Sequence, residues 1–321
     1  MGVEQTATPP VSSAPPPVSS AGTAGSSAGT AASPPGTAAS WRGGAALPAV
    51  LVLTGIVSVQ FGAGIADKLF GTVPPGSVTA LRLWFAAVVM IAVGGRGAYR
   101  CITGILRRRA WSDGLAAAAF GVTLAVMNYS IYQAFVRVPL GVAVTIEFLG
   151  PLAVSVASSR HRRDLAWVTL GALGVVLLSG GAGGRLNLVG VGFALLAGVG
   201  WAAYILLSRA SGQRFPGPSG LVLAMVIAAL VVTPAGLGHG AMFRPAVLAC
   251  GVAIGILSSV VPYWLELEVL RRIPARVFGV WMSLEPAVAA LIGLVMLGQR
   301  LSVVEWLAIG CVIVACAGAA L

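Results

Sequence analysis

From about residue 47 onward the chain is a succession of apolar runs, most of them long enough to cross about 30 Å of hydrocarbon as a helix, with gaps too short to hold a folded domain. No single soluble core can hide that much apolar surface. Hydrophobic residues make up 58% of the chain and charged residues 9%, against roughly 25% charge in a soluble globular domain. A soluble two-domain enzyme is thereby excluded, and an all-α polytopic membrane protein is predicted. The runs fall at about 47–66, 78–93, 115–135, 139–158, 165–178, 188–207, 221–237, 247–270, 276–297 and 303–321, which makes ten transmembrane helices.

The net charge of +11 would suggest nucleic acid in a soluble protein, but here the arginines sit in the gaps between runs, where they orient the spans. With the N-terminus inside, fourteen of the twenty basic residues fall on inner segments and five on outer loops, Arg82 being within a span. That bias predicts a multi-pass protein of the cell membrane with both termini cytoplasmic. Residues 1–45 form a separate tail: its first forty positions are almost wholly Pro, Ser, Ala, Gly and Thr without Lys or Arg, so disorder is expected. The tail lacks the charged and apolar regions of a signal peptide. Cys101, Cys250, Cys311 and Cys316 lack C-x-x-C spacing and read as buried thiols, and no metal or cofactor is expected.

Two segments break the apolar pattern. PLGVAVTIEFLGP (139–151) carries Glu147, and PARVFGVWMSLEP (274–286) carries Glu285; in each, two prolines stand twelve positions apart. An ionised carboxylate at mid-bilayer costs roughly 2.5–3.5 kcal/mol on insertion scales, so such acids are expected to face a partner or a cavity, or to carry a proton. Each also neighbours a proline that removes a helix hydrogen bond, which is tolerated at that depth where the freed carbonyl lines protein or water.

Sliding the halves by 135 positions aligns Arg137 with Arg272, Pro139 with Pro274 and Pro151 with Pro286. Five spans per half turn the second copy over, which predicts a five-plus-five inverted repeat of 46–180 and 186–321 around a midplane site. Glu147 aligns with Met282 and Gly150 with Glu285, so the acids are offset by about a turn.

Other polar residues within the runs are candidates for the same site. Glu266 shares a helical face with Tyr263, whereas Glu268 is placed to pair with Arg271 or Arg272. Glu305, at the start of the tenth run, reads as solvated. Asn128 lies on one face with Tyr132, Tyr129 with Gln133, and Trp201 with Tyr204, while Gln60 lies deep in the first run. These side chains suit either an ammonium or helix contacts and interface belts. Arg82 either neutralises a carboxylate or snorkels to the interface.

The segments SVQFGAGIADKLF (58–70), VTALRL (78–83), MNYSIY (127–132), VPLGVAVTIEFLGPLAVSVASSR (138–160), GWAAYIL (200–206), VPYWLE (261–266) and MSLEPAVAALIGLVMLG (282–298) carry a family likeness. Over about 50–320 the chain resembles the EamA branch of the drug/metabolite transporter superfamily, and most closely its inner-membrane threonine and homoserine exporters. The resemblance implies ten helices in an inverted repeat, a central cavity and export of amino acids or similar metabolites. It also implies roles for Glu147, Asn128, Tyr129, Glu266 and Glu285. Related exporters tend to follow the ninth span with Gly-Glu, where this chain has Gly298 and Gln299.

The expected function is a secondary exporter of small amino acids, with alternating access and proton antiport. Its partners are a small-molecule substrate, protons and membrane lipids. An exporter of cationic drugs is the alternative, favoured if Trp201, Tyr204 and Trp281 form a cage. A non-transporting membrane sensor or scaffold is the reading from another class. No H-E-x-x-H or phosphate-binding loop is present, which argues against an intramembrane enzyme and an ATP-driven pump.

Overall fold

A computed structural model of the chain describes residues 46–157, 164–181, 187–215, 217–270 and 272–320. The tail, the basic cluster at 160–163 and the Gly-rich turn at 182–186 lie outside them. The described residues are all-helical: α1 (Ala46–Leu69), α2 (Pro75–Arg108), α3 (Trp111–Phe135), α4 (Leu140–Glu147), α5 (Leu149–Ala157), α6 (Asp164–Gly181), α7 (Leu188–Arg214) and α8 (Ser219–Gly236). A 3-10 turn at Gly240–Phe243 leads to α9 (Pro245–Gly255), a π-helical turn at Ile256–Val260, α10 (Val261–Leu270), α11 (Ala275–Met282), α12 (Glu285–Leu297) and α13 (Val303–Ala320). The pairs α4/α5 and α11/α12, and the run from α9 to α10, each make one crossing. Among the described residues nine segments are long and apolar enough to cross a membrane, and the shorter Ala166–Leu178 supplies the tenth. Val93, Leu230 and Val295, each at least two-thirds exposed, point outward as side chains meant for lipid do.

The prolines explain the breaks. Pro151 and Pro286 have no N–H to give the carbonyls of Glu147 and Met282 four residues back, and those are the residues where α4 and α11 end. Both helices are 8 residues long and start behind prolines of nearly equal backbone geometry, Pro139 at φ −54, ψ 143 and Pro274 at φ −60, ψ 144. Their bounds differ by the 135 positions that align the two halves in sequence.

The strongest packing joins helices across the halves. α2 lies on α8, α3 on α7, α6 on α13, and α1 on α10 and α12. Small residues let the backbones close up, as helix association in lipid requires. A Cβ built on Gly76 would stand 2.5 Å from the Ala235 carbonyl oxygen, and one on Gly141 2.7 Å from the Ala290 Cα. Side chains add cross-helix bonds: Ser77 Oγ donates to the Gly236 carbonyl at 2.7 Å and Trp84 Nε1 to Thr233 Oγ1 at 2.9 Å.

Two expectations change. The basic loop after the second run is not a loop, since α2 continues without a proline to Arg108 and ends at Arg109, φ 51. Its extension is held by close packing of Gly94 on Val222 and Gly97 on Ser219 of α8. Glu305 is not solvated either: it is 6% exposed and accepts from Ser302 N at 2.6 Å and Ser302 Oγ at 2.8 Å. Glu305 N donates back to Ser302 Oγ at 3.3 Å, so Ser302-Val-Val-Glu305 is a capping box that starts α13. Glu268 pairs with Arg272, Nε at 2.8 Å from Oε1.

Candidate functional site

The broken crossings meet at a cavity of about 510 Å³. Of the nine candidates from the sequence, Gln60, Arg82, Asn128, Glu147, Trp201, Tyr204, Glu266 and Glu285 line it. Tyr129 does not, and packs against the buried cluster containing Phe120, Leu124 and Ala228. Trp281 is also absent from the lining and packs with Val52 and Ile56.

The two acids of the matched segments lie on opposite sides of their breaks. Glu147 is the last residue of α4, and Glu285 is the first of α12. Both are buried, 8% and 7% exposed. Gln60 Nε2 donates to Glu285 Oε1 at 2.8 Å, while Gln60 Oε1 is enclosed without a partner. Glu147 is close enough to feel the charges of Glu285 and Arg82. Its backbone carbonyl, freed by Pro151, packs under Gly198 of α7, where a Cβ would approach it to 2.8 Å.

Among the described residues Arg82 is the cavity's sole basic lining residue, and it is held rather than snorkelling. Nη2 donates to the Ser258 carbonyl at 2.9 Å, Nη1 to the Tyr132 hydroxyl at 3.4 Å and Nε to Ser259 Oγ at 3.4 Å. The guanidinium also stands over the Tyr132 ring, 5.5 Å from its centroid. Sequence again gives the cause: Pro262 cannot donate to the Ser258 carbonyl, the helix widens into the π turn, and the carbonyl is left for Arg82. Ser258 and Ser259 were not candidates from the sequence, and the one signal for them was a proline four residues beyond Ser258.

Aromatic rings complete the wall. Trp201 meets Phe148 edge-on, centroids 4.8 Å apart at 85°, and Tyr204, Tyr263 and Glu266 share the lining with them. Asn128 Nδ2 is spent on its own helix, bonding the Leu124 carbonyl at 2.8 Å.

Over 279 residues the chain is 40% identical to the threonine/homoserine exporter RhtA of Escherichia coli strain K12, a match covering 86% of this chain and 92% of that relative. Residues 188–321 match the EamA-like transporter family. The chain belongs to that family. Other relatives are the threonine/homoserine exporter RhtA of Salmonella typhimurium strain LT2, 37% identical with 86% of this chain and 92% of the relative covered, and an uncharacterised transporter, YwfM, of Bacillus subtilis strain 168, 29% identical with 50% and 55% covered. A crystal structure of a protein 22% identical to this one has a TM-score of 0.56 over 85% of this chain and 96% of the other, so the fold is shared. This EamA protein is accordingly a multi-pass membrane transporter.

The lining of the EamA cavity extends toward one end of the bundle. Its lining includes Leu51 early in α1, Ser155 late in α5, Phe278 early in α11 and Ala320 at the end of α13, residues tied by Ser155 Oγ donating to the Ala319 carbonyl at 2.7 Å. At the opposite end Gln299 Oε1 accepts from Leu140 N at 2.9 Å, capping the start of α4, and Gly141 packs against Ala290. Replacing Gln299 with alanine removes that cap. The expected loss is about 1 kcal/mol, read as a fall of roughly 2–4 °C in melting temperature of the detergent-solubilised protein. An unchanged melting temperature would show that the contact does not hold the two crossings together.

Proposed function

We propose that this transporter exports small amino acids such as threonine and homoserine across the plasma membrane by alternating access, in exchange for protons. Residues 46–180 and 186–321 act as inverted halves that rock about the cavity. The observation that carries the reading is the charge pattern of the lining: one fixed guanidinium, Arg82, opposite the carboxyls of Glu147, Glu266 and Glu285. A zwitterion meets both kinds of group, its carboxylate at Arg82 and its ammonium at one of the acids. The two RhtA relatives, exporters of threonine and homoserine by name, support the same cargo. With both termini cytoplasmic, as the arginine bias predicts, the Ser155 end faces the cytoplasm.

The cationic-drug reading was favoured by a cage of Trp201, Tyr204 and Trp281, and Trp281 is not in the lining. Expression in cells fed threonine or homoserine is expected to lower the internal pool and raise the external one several-fold relative to cells without the gene. No change for either amino acid, with the protein present in the membrane, would sink the cargo assignment.

A further inference from the structure

Glu147 and Glu285 stand at matched breaks, yet their surroundings differ in kind. Glu285 opens a helix of 13 residues, where the positive end of the helix dipole favours negative charge. Gln60 Nε2 fixes one of its oxygens at 2.8 Å. Glu147 is the last residue of α4, with α5 beginning two residues later at Leu149. Among the described residues no hydrogen bond reaches its carboxyl. The charged and titratable groups facing the same cavity are Arg82 on α2, Tyr132 on α3, Tyr204 on α7, Tyr263 and Glu266 on α10, Glu285 on α12 and Cys316 on α13.

A second observation points to a missing ligand. Gln60 is 2% exposed and its Oε1 has no donor, although its amide is already engaged with Glu285. A buried acceptor left unpaired costs about 1–3 kcal/mol. The second oxygen of Glu285 and the unpaired Gln60 Oε1, enclosed until the Gln60 side chain turns, together suit one centre bearing several N–H groups, which an ammonium is.

We propose that the two acids have separate tasks: Glu285, oriented by Gln60, holds the cargo's ammonium, and Glu147 carries the proton. The assignment rests on the amino-acid exporter reading and goes further by giving each acid one role. The Glu147 carboxylate takes up one proton when the cavity faces outward and releases it when the cavity faces inward, and no other bond is made or broken. Glu285 keeps its charge through the cycle and exchanges cargo for water.

The test uses the full chain in proteoliposomes with labelled threonine and two readouts, exchange at equal pH and accumulation driven by a pH gradient. Glu147→Gln is expected to lose gradient-driven accumulation while exchange persists within about threefold. Loss of the charge-assisted bond in Glu285→Gln is expected to raise KM for exchange roughly 10- to 150-fold, with an unchanged melting temperature showing that the variant folds. Gln60→Leu is expected to raise KM roughly 2- to 10-fold and leave the dependence on the gradient intact. Loss of exchange in Glu147→Gln, or a wild-type KM in Glu285→Gln, overturns the division of tasks. Wild-type protein that exchanges threonine but ignores the gradient overturns the proton role alone. Wild-type protein that does not exchange threonine overturns the cargo reading on which both tasks rest.

Discussion

Replacing Gly150 with valine is expected to abolish recovery of folded protein. A Cβ at Gly150 overlaps the Gly198 carbonyl oxygen, and one at Gly198 comes within 2.8 Å of the Glu147 carbonyl oxygen, so backbone meets backbone where α5 crosses α7. No flexible side chain is there to yield. Overpacking of this kind costs typically about 1–3 kcal/mol and occasionally more, and valine adds two methyl groups to a clash that alanine already makes. Gly192, on the same α7, has nothing within 4 Å of a built Cβ. Gly192→Ala is therefore expected to be neutral or to stabilise by up to ~1 kcal/mol through helix propensity. Monodisperse yield and melting temperature in detergent separate the two. If Gly150→Ala proves as stable as Gly192→Ala, the close approach is not the support it is taken to be.

The second large effect belongs to Arg82. Its three donor nitrogens go to three different acceptors, Ser259 Oγ, Tyr132 Oη and the Ser258 carbonyl, a fan that a lysine ammonium cannot reproduce from one atom. Arg82→Ala removes the cation that balances Glu147 and Glu285 as well as the proposed carboxylate anchor. Truncating one partner of a buried charge pair costs about 2–5 kcal/mol, so threonine transport is expected to fall roughly 30- to 5,000-fold. Arg82→Lys keeps the charge and loses the geometry, for which a loss of about 10- to 100-fold is expected, with the melting temperature close to wild type. Initial rates over a range of threonine concentrations check both. A wild-type KM in Arg82→Ala would remove Arg82 from the binding site.

Features that act along the chain were legible in the sequence, and features that act between helices were not. The ten runs announced the crossings because lipid selects for length and apolarity, and Pro151 and Pro286 announced the breaks because a missing N–H acts four residues back. The 135-residue shift aligned the two broken crossings, since α4 and α11 repeat one local plan. Tyr129 and Tyr132 looked equivalent as polar aromatics, yet one packs among apolar neighbours and the other supports Arg82. Which face of α3 turns to the cavity depends on α7 and α8, and no residue within α3 states it. Gln299 read as a lost acid, but its carbonyl oxygen caps the start of α4, a partner 159 positions away in sequence. The Ser302 to Glu305 box follows a local pattern, Ser-x-x-Glu ahead of an apolar run, and is legible in the sequence as a helix cap.

The pairing of helices across the halves also bears on how the protein is made. α7, which covers the Glu147 break, ends at Arg214, 67 residues after that acid. At roughly 5–20 residues per second the nascent chain carries Glu147 for on the order of 3–13 s before its cover has been synthesised. During that interval the acid lies in the membrane or in the insertion machinery without the wall that later encloses it. Slowing synthesis between α5 and α7 should therefore lower the yield of assembled transporter more than the same delay placed after α13.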